Sequence, residues 1–589
     1  MTRGSTLLAF CLSLLLTALC LAPASSAQFL QFSAARQAQG SDVLANGKTV
    51  IRLRTGGGAG QICSKLTSLA LAGLAPGQVT VKAAKDSAQL IAAGTVLATV
   101  DAKMAAASKS TPAGLVGNWA ANLKAALSTP YVILECRATM PVPLGEKRTL
   151  KWGGTAGTDL TFASLKPDVA ALHLDNAKGI LYVEGVGLGR GVIEATLDNQ
   201  QVNIEVEVKA WAVRVQSPVV AEITSPPLPA DDVRRTVRNA VLMGVTPAPG
   251  ATVELGEPHR SGGAYTIEVK ASGRDCFDVA TPVRVTLRTV SAPKRRAQEV
   301  LVSNAPERIL EPATLLRENL VGLAPVRLLW HHVNSSPTAL RFAVRVVNRG
   351  SKTAKIHLTE AATGPMTDEI YVGHTAMARF VGLIQQNEGY MLSVPAGSML
   401  ELYDTRLQVG GIVSGLALIT PVEAENLMLE VLAERSWPTT AYFAPVPERL
   451  LNDPPLTPYR FEAEKTVELE HEVGGAWTFY HVGKEYSTNL QGQKLYGDYG
   501  VNYTLKCTFR NPSDKPARGE MHLRASGGVA RCTFLLNGNI LETGMLRGLN
   551  EQILHKVDLA PGEQRSVTLI TMPESGSNYP VTLTMMSRQ

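Results

Sequence analysis

The sequence predicts a mainly β protein of tandem domains, with small α+β modules and two antiparallel β-sandwiches towards the C-terminal end. The chain has 589 residues, too many for one hydrophobic core, and domains of ~100–150 residues would give about four to six. Hydrophobic residues make up 45% and charged residues 18%, which is a globular composition. Glycine (51) and proline (34) are plentiful while aromatic residues are only 5%, as expected for many short strands joined by turns.

Residues 1–27 have the pattern of a secretory signal peptide. Arg3 precedes an apolar run over 7–21, and small residues follow up to a cleavage site after position 27. A lipoprotein is the alternative, with Cys20 lipidated, but Leu19 stands where a small residue is expected. No later stretch is long and apolar enough to cross a bilayer. We therefore expect a secreted, periplasmic or cell-surface protein without a membrane span after signal cleavage.

Five cysteines follow the signal peptide: Cys63, Cys136, Cys276, Cys507 and Cys532. An odd number leaves at least one thiol unpaired, and no Cys-x-x-Cys pair suggests a zinc site. Period-two alternation turns Cys507 and Cys532 towards the interior of one domain, so a disulfide between them is predicted. Cys63 with Cys136 is a second candidate pair.

Residues 43–136 predict an α+β module. A strand, a glycine-rich loop at 56–60 and a helix come first, and short strands and a second helix follow. Thr111-Pro112 is a typical start for that second helix, with an N-cap followed by proline. The glycine-rich loop lacks the Gly-Lys-Ser/Thr of a phosphate-binding loop and is expected to be a turn.

Residues 137–212 predict a β-sandwich, because short strands separated by turn signals end in an unbroken alternation over 202–210. The segment 182–196, with its Val-x-Gly-x-x-x-Gly pattern, resembles bacterial immunoglobulin-like domains and the N-terminal domains of pilus-assembly secretins. This resemblance implies a structural or adhesive module without catalytic residues.

A second α+β module is predicted for residues 213–297. A helix begins near 229–231, strands follow at 266–269 and 283–287, and the basic segment 294–296 indicates a boundary. The net charge of +6 is small for the chain length, and basic residues form only short clusters. Nucleic-acid binders concentrate them on one face, so no nucleic-acid partner is expected.

An internal repeat divides the C-terminal half into two related sandwiches, 298–452 and 453–589. Each copy has an alternating strand that ends in asparagine, a lysine four residues later, and a proline-containing turn further on. The matching positions are Asn348, Lys352 and Pro395 in the first copy and Asn511, Lys515 and Pro561 in the second. Asn-Gly at 537–538 predicts a hairpin turn. The stretch 497–512 resembles the end of a family of secreted bacterial proteins, which implies export.

Histidines are the main candidates for chemistry. His331, His332 and His374, with an acidic residue, could bind a metal, although neighbouring strand residues such as His331 and His332 face opposite sides. The sequence at 471–475 lacks the second histidine of a zincin helix. Ser414 is not in a Gly-x-Ser-x-Gly nucleophile motif. No pair of carboxylates indicates acid–base catalysis, and no cofactor is expected.

These patterns predict a non-catalytic, exported, modular protein with a structural, adhesive or assembly role in a bacterial envelope or at its surface. Envelope proteins or polysaccharide would be its partners. An array of carbohydrate-binding modules is one alternative; it requires exposed rings on one sheet face, and Trp477 with Tyr480 is the close aromatic group. A metal-dependent hydrolase using His331, His332 and His374 is the other.

Overall fold

The computed structural model describes residues 27–587 except 55–57, 136–138, 157–159, 227, 293, 437–443, 449, 451–453, 457–458 and 549. It is mostly β and divides into two compact units. The first unit comprises the described residues up to Trp211 together with Asp275–Phe277, and the second comprises Ala212–Arg274 and the chain from Asp278 onwards. The predicted signal peptide lies outside the described residues, apart from its last position.

The first unit begins with an α+β module, as the sequence predicts, but its strands start before residue 43. Its elements are β1 (Gln28–Phe29), β2 (Phe32–Arg36), β3 (Ser41–Ala45), β4 (Lys48–Leu53), α1 (Ala59–Leu71), β5 (Val79–Ala83), β6 (Ser87–Ala92), β7 (Thr95–Asp101), α2 (Ala102–Ala107), α3 (Pro112–Leu127) and β8 (Tyr131–Leu134). Sheets β2-β3-β4 and β5-β6-β7 pack with α1 and α3 around one core. The start of α3 is confirmed, because Thr111 Oγ1 accepts the Gly114 N–H at 3.1 Å.

The β-sandwich predicted for residues 137–212 follows. Its elements are β9 (Thr139–Pro143), β10 (Lys147–Gly154), β11 (Thr161–Ser164), β12 (Ala170–Asp175), β13 (Ile180–Gly185), β14 (Gly189–Leu197) and β15 (Gln200–Trp211). One sheet has the order β1-β8-β10-β13-β12, and the other contains β11, β14, β15 and β9. On β15 the residues Ile204, Val206 and Val208 are buried and alternate with more exposed polar ones, which confirms the predicted strand with one wet face.

Residues 213–289 form the strands and helix predicted for the second α+β module. The elements are β16 (Val213–Val215), β17 (Val219–Ile223), α4 (Ala230–Met243), β18 (Val245–Pro247), β19 (Thr252–Leu255), β20 (His259–Ser261), β21 (Ala264–Ser272), β22 (Cys276–Phe277) and β23 (Val279–Thr289). Strand β22 belongs to the first unit, where it pairs in parallel with β15. The other strands of this segment belong to the second unit.

The described residues of 299–462 contribute strands to two sheets and include one long helix. The elements are β24 (Glu299–Ser303), β25 (Arg308–Ile309), β26 (Ala313–Leu320), β27 (Val326–Asn334), β28 (Leu340–Asn348), β29 (Ala354–Met366), α5 (Glu369–Gln386), β30 (Tyr390–Val394), β31 (Ser398–Leu407), β32 (Ile412–Glu423), β33 (Leu427–Glu434), β34 (Ala444–Pro445) and β35 (Arg460–Glu462). Helix α5 was not predicted from the sequence. Its first turn is capped by Asp368, whose Oδ1 accepts the Tyr371 N–H at 2.9 Å.

The predicted modules of the second unit are not independent. A twelve-stranded sheet, the central sheet, has the order β19-β21-β23-β17-β30-β29-β32-β27-β24-β35, with β20 and β25 attached to β21 and β27. It therefore runs through the expected boundaries near 297 and 452. Helix α4 is tied to the same sheet, because the Asn239 side chain donates to the Ser393 carbonyl and accepts its N–H, each at 2.9 Å.

The central sheet is buried on both faces along β24, β27 and β32. A five-stranded sheet, β26-β33-β28-β31-β34, covers one face and is called the outer sheet. Leu328 and Trp330 point into the core shared with the outer sheet, whereas Leu329 points into the core on the opposite face. Double burial explains why β27 shows no apolar–polar alternation in its sequence.

The opposite face packs on α5 and on the C-terminal sandwich, which spans 464–587. Its elements are β36 (Glu464–Glu472), β37 (Thr478–Val482), β38 (Ser487–Thr488), β39 (Lys494–Leu495), β40 (Asn502–Arg510), β41 (Ala517–Ala525), β42 (Val529–Ala530), β43 (Thr533–Leu536), β44 (Asn539–Glu542), β45 (Leu546–Arg547), β46 (Glu551–Leu559), β47 (Gln564–Thr571) and β48 (Val581–Ser587). Its sheets are β36-β40-β47-β43-β44 and β37-β48-β41-β46. Most of its pairs are antiparallel as predicted, but β36–β40 is parallel, as are β24–β27 and β25–β27 in the central sheet.

The predicted hairpin turn is confirmed, since β43 and β44 pair across Asn537 and Gly538, which have φ of 48° and 86°. Positive φ at both positions is the type I′ geometry that Asn-Gly favours. Within the described chain, the helices lack the combined length and apolarity needed to cross a membrane.

The sequence repeat has a structural basis in its asparagines. Asn348 and Asn511 are fully buried at the ends of β28 and β40. Each side-chain amide donates to the carbonyl four residues later, at 2.8 Å in both copies. Each also donates to a carbonyl where the later turn begins, Val394 at 2.9 Å and Ala560 at 3.0 Å. Asn334, at the end of β27, makes the same contact to the carbonyl four residues on at 2.9 Å. Buried amides satisfied in this way fix the loops between the sheets.

Candidate functional site

Strand β27 places His331 and His332 on opposite faces of the central sheet, as the sequence predicts for neighbouring strand residues. His332 faces the outer sheet, and its ring centroid lies 5.5 Å from that of Phe342 on β28. His331 faces α5, where its Nε2 lies 3.7 Å from Glu369 Oε1. The two histidines therefore cannot serve one metal site.

His332 is a fully buried, neutral hydrogen-bonding group. Its Nδ1 lies 3.0 Å from the Pro306 carbonyl and its Nε2 lies 2.9 Å from Ser303 Oγ. Because a carbonyl only accepts, Nδ1 carries the proton, and Nε2 accepts from the serine hydroxyl. Burial lowers the pKa of His332 to about 3, and the neighbouring His331 adds to the effect. Both ring nitrogens are occupied, so His332 has no free lone pair for a metal.

We expect His332 to make the second unit labile in acid. Its pKa falls from 6.5 to about 3 on folding. Its contribution to the free energy of unfolding is therefore fully present above pH 6.5 and is lost as the pH falls towards 3. Between pH 7 and pH 5 the loss is about 2 kcal/mol. Urea unfolding followed by circular dichroism should show that His332→Gln loses less stability over this interval than the wild type. Exposed His173→Gln is the control and should match the wild type; equal slopes for His332→Gln and wild type would contradict the assignment.

His374 lies on α5, in a second environment. Its Nδ1 is 2.8 Å from Glu574 Oε2 and its Nε2 is 2.7 Å from Glu542 Oε2. Only the imidazolium donates from both nitrogens at once. Burial opposes the charge, but the two carboxylates outweigh burial and raise the pKa of His374 above its ordinary value. His374 is thus an ion-paired link between α5 and the C-terminal sandwich.

A third group gathers Glu307, His331 and Glu369. One ligand atom from each lies within 4.8 Å of the others, which is a spacing that could hold a metal ion. His331 is buried, and both carboxylates are exposed. Neither His332 nor His374 takes part, so the predicted hydrolase set of His331, His332 and His374 is not brought together. Nothing in the sequence around His331 indicated that Glu307 and Glu369 lie close to it in the fold.

The predicted disulfide between Cys507 and Cys532 is wrong, although both thiols are buried in one core as expected. Strand β47 lies between β40 and β43, so the two cysteines are two strands apart, roughly 10 Å. They also differ in register, since Cys507 pairs with Val567 whereas Phe534 pairs with Thr571. A bridge needs Cα atoms within ~7 Å. Burial raises the pKa of Cys507 to about 12, which keeps it a thiol.

Cys63 is a buried free thiol on α1, and its proposed partner Cys136 lies outside the described residues.

Exposed aromatic side chains lie near the start of β37, although not in the predicted pair. Tyr480 turns inwards, with its ring centroid 6.3 Å from that of Tyr503. Trp477 instead lies beside Phe479, with centroids 6.2 Å apart. These two side chains are 56% and 51% exposed. Strand β37 is at the edge of its sheet, so the two rings form a small accessible platform.

The first unit has a shallow groove of about 400 Å³. Trp211 and Phe277 line it with ring centroids 5.5 Å apart, and Arg148 and Glu135 supply charge. The Trp211 indole N–H donates to Glu146 Oε1 at 2.5 Å, which fixes the orientation of that ring. The groove therefore presents one immobilised aromatic wall and flanking polar groups.

No protein-family model matches the sequence, and no curated protein is similar to it. Similar solved structures include domains 5–6 of the S-layer protein SbsC, with 15% identity over 27% of this chain and 100% of that chain and a TM-score of 0.13. The tandem Ig repeats of Dlar share 11% identity over 27% of this chain and 98% of theirs, with a TM-score of 0.13. The insect immune protein hemolin shares 12% sequence identity over 47% of this chain and 77% of its own, with a TM-score of 0.15. TM-scores this low carry no argument about function.

Proposed function

We propose that the chain is a non-catalytic, exported scaffold with a structural or adhesive role in the bacterial envelope or at its surface. The observation that carries this proposal is the central sheet, which links segments from β19 to β35 and is buried between two cores along β24, β27 and β32. Tandem sandwiches joined by one continuous sheet resist bending more than domains connected by linkers, because separation requires breaking strand pairing. Such rigidity suits a protein that spaces or anchors other surface components.

Buried charges fasten the layers of this scaffold. Arg327 on β27 donates to the carbonyls of Ala463 and Gly500 at 3.1 and 2.9 Å and to Glu464 Oε1 at 2.9 Å. It thereby ties the central sheet to the C-terminal sandwich. His374 ties α5 to the same sandwich. In both places the ionisable groups serve packing, since buried charges are retained only when they are paired.

Export is tested by expressing the full chain with a C-terminal epitope in a Gram-negative bacterium. N-terminal sequencing of the envelope and periplasmic fractions should start at Gln28, because cleavage is expected after Ala27. Ala27→Arg removes the small residue at the cleavage position and should leave the longer chain uncleaved. An uncleaved wild-type chain in the cytoplasm would contradict export.

The adhesive role is tested with purified, fluorescently labelled residues 28–589. We expect saturable co-sedimentation with bacterial envelope preparations that unlabelled protein competes away. The same protein should not turn over chromogenic esters, phosphates or glycosides. Absent or unsaturable binding would contradict adhesion, and turnover lost on His331→Ala would contradict the non-catalytic role.

A carbohydrate-binding role is the second candidate, favoured by the exposed rings of Trp477 and Phe479. Aromatic faces offer a flat apolar surface on which sugar rings can stack. Binding of solubilised bacterial polysaccharide should fall at least ~10-fold in Trp477→Ala, which corresponds to about 1.4 kcal/mol. Tyr371→Ala, which removes an exposed ring on α5, is the control. Unchanged binding in Trp477→Ala would exclude this platform.

A further inference from the structure

Three separate segments of the second unit bring potential metal ligands together. Glu307 lies just before β25, and its carbonyl accepts the Val333 N–H of β27 at 2.9 Å. His331 lies within β27, and Glu369 is the first residue of α5. One ligand atom from each residue lies within 4.8 Å of the others. The group therefore spans a loop, the central sheet and the start of a helix.

His331 is the buried member of this group. It is only 5% exposed, yet its Nδ1 has no hydrogen-bond partner in the described part of the chain. Its Nε2 is 3.7 Å from Glu369 Oε1, longer than a hydrogen bond. Buried imidazoles are normally satisfied, as both nitrogens of His332 and His374 are here. His471 is a second buried histidine whose ring nitrogens lack partners among the described residues, but His331 is the one that has two carboxylates close to it. His331 is therefore a buried imidazole with one unpaired ring nitrogen, Nδ1, and its other nitrogen, Nε2, lies near the Glu369 carboxylate.

We propose that Glu307, His331 and Glu369 bind a divalent transition-metal ion, with Zn²⁺ as the best match, which fastens the start of α5 to the central sheet. An imidazole nitrogen with two carboxylate oxygens is a ligand set that Zn²⁺ accepts, whereas Ca²⁺ and Mg²⁺ prefer oxygen alone. Two carboxylates balance the charge of the ion, and water completes the coordination.

Only a small movement of the side chains would bring the three ligand atoms to the separations found around a zinc ion. Ligand atoms at ~2.0–2.2 Å from one tetrahedral Zn²⁺ lie roughly 3.3–3.6 Å apart. The His331–Glu369 separation of 3.7 Å is already close to this. Glu307 and Glu369 are exposed and can rotate to close the remaining gap. The site does not depend on an adhesive role, because the metal would act on the folded scaffold itself.

The test uses tag-free residues 28–589, freed of metal with EDTA and titrated calorimetrically with ZnCl₂. One ion per chain is expected, with a rise in melting temperature because the ion binds only the folded state. Glu307→Gln and Glu369→Gln should each weaken binding at least ~10-fold, and His331→Ala should weaken it further. CaCl₂ and MgCl₂ should give neither heat nor a thermal shift.

The matched control is His173→Ala, which removes an exposed histidine whose Nε2 lies 3.0 Å from Glu184 Oε2 in the first unit. It should bind zinc as the wild type does. Glu307→Gln is the decisive variant because Glu307 is exposed and its loss should leave the fold intact. Wild-type affinity in Glu307→Gln, or the absence of zinc binding by the wild type, would overturn the site.

Discussion

Replacing Glu430 by glutamine is expected to destabilise the second unit by about 3–5 kcal/mol, because it removes the shared partner of two buried guanidinium groups. Glu430 on β33 is 1% exposed. Its Oε1 accepts from Arg317 Nε and Nη2 at 3.1 and 2.9 Å, and its Oε2 accepts from Arg345 Nε at 2.7 Å. The three residues pair directly across β26, β33 and β28 of the outer sheet. Without the carboxylate, two buried cations would face each other.

Urea unfolding of residues 28–589, followed by circular dichroism, measures this loss. Glu425→Gln is the matched control: Glu425 pairs with Lys352 at 2.8 Å, but both side chains are largely exposed. Surface pairs of that kind contribute about 0–1 kcal/mol. Replacing Arg317, Glu430 and Arg345 together by apolar residues should cost less than Glu430→Gln alone. A loss below about 1 kcal/mol in Glu430→Gln would show that the triad is not buried as described.

The sequence predicted strands best where one face of the strand is buried and the other is exposed to solvent. Residues 202–210 alternate clearly, and β15 occupies them. In β27 alternation is absent because both faces are buried, so the sequence indicated a strand without indicating two layers on it. The expectation of separate modules failed for this reason. Local pattern shows that a segment forms a strand, but sheet continuity depends on pairings between residues far apart in the chain.

Helix α5 was missed although its sequence carries a helical period. Val372, Ala376 and Phe380 are buried at four-residue spacing, with Met377 and Val381 beside them. The segments on either side have the alternating pattern of strands, so the whole region was interpreted as a β-sandwich and the helical period was overlooked. The missed helix also concealed the real partners of the histidines.

The partners of His374 could not be predicted from spacing. Glu542 and Glu574 are 168 and 200 residues away from it in the chain. Likewise, Glu307 and Glu369 meet His331 only because α5 packs on the central sheet. Sequence identified His331 and His374 as unusual residues, but their chemistry is set by elements that the fold brings to them.

Gly415→Ala is expected to destabilise the second unit by about 3 kcal/mol, at the upper end of the usual effect of overpacking. Gly415 on β32 lies directly opposite Trp330 on β27. A Cβ at position 415 would lie 2.1 Å from Cζ2 and 2.4 Å from Cε2 of the indole. Trp330 is fully buried, and its ring centroid lies 5.6 Å from that of Tyr403, so the ring cannot move aside without disturbing the core.

A double-mutant cycle separates this clash from a general effect of alanine. Trp330→Leu creates space that the added methyl can partly occupy, so Gly415→Ala should cost at least ~1 kcal/mol less in the Trp330→Leu background. Gly544→Ala is the matched control, because its nearest neighbour would be Gln552 Oε1 at 3.7 Å, an ordinary contact. Additive effects at 330 and 415 would mean that the indole does not cover Gly415. A strong coupling would instead explain why residue 415 is glycine, since a larger residue would collide with the Trp330 indole. The neighbouring Ser414 belongs to the same buried contact, because its hydroxyl donates to the Trp330 carbonyl at 3.3 Å.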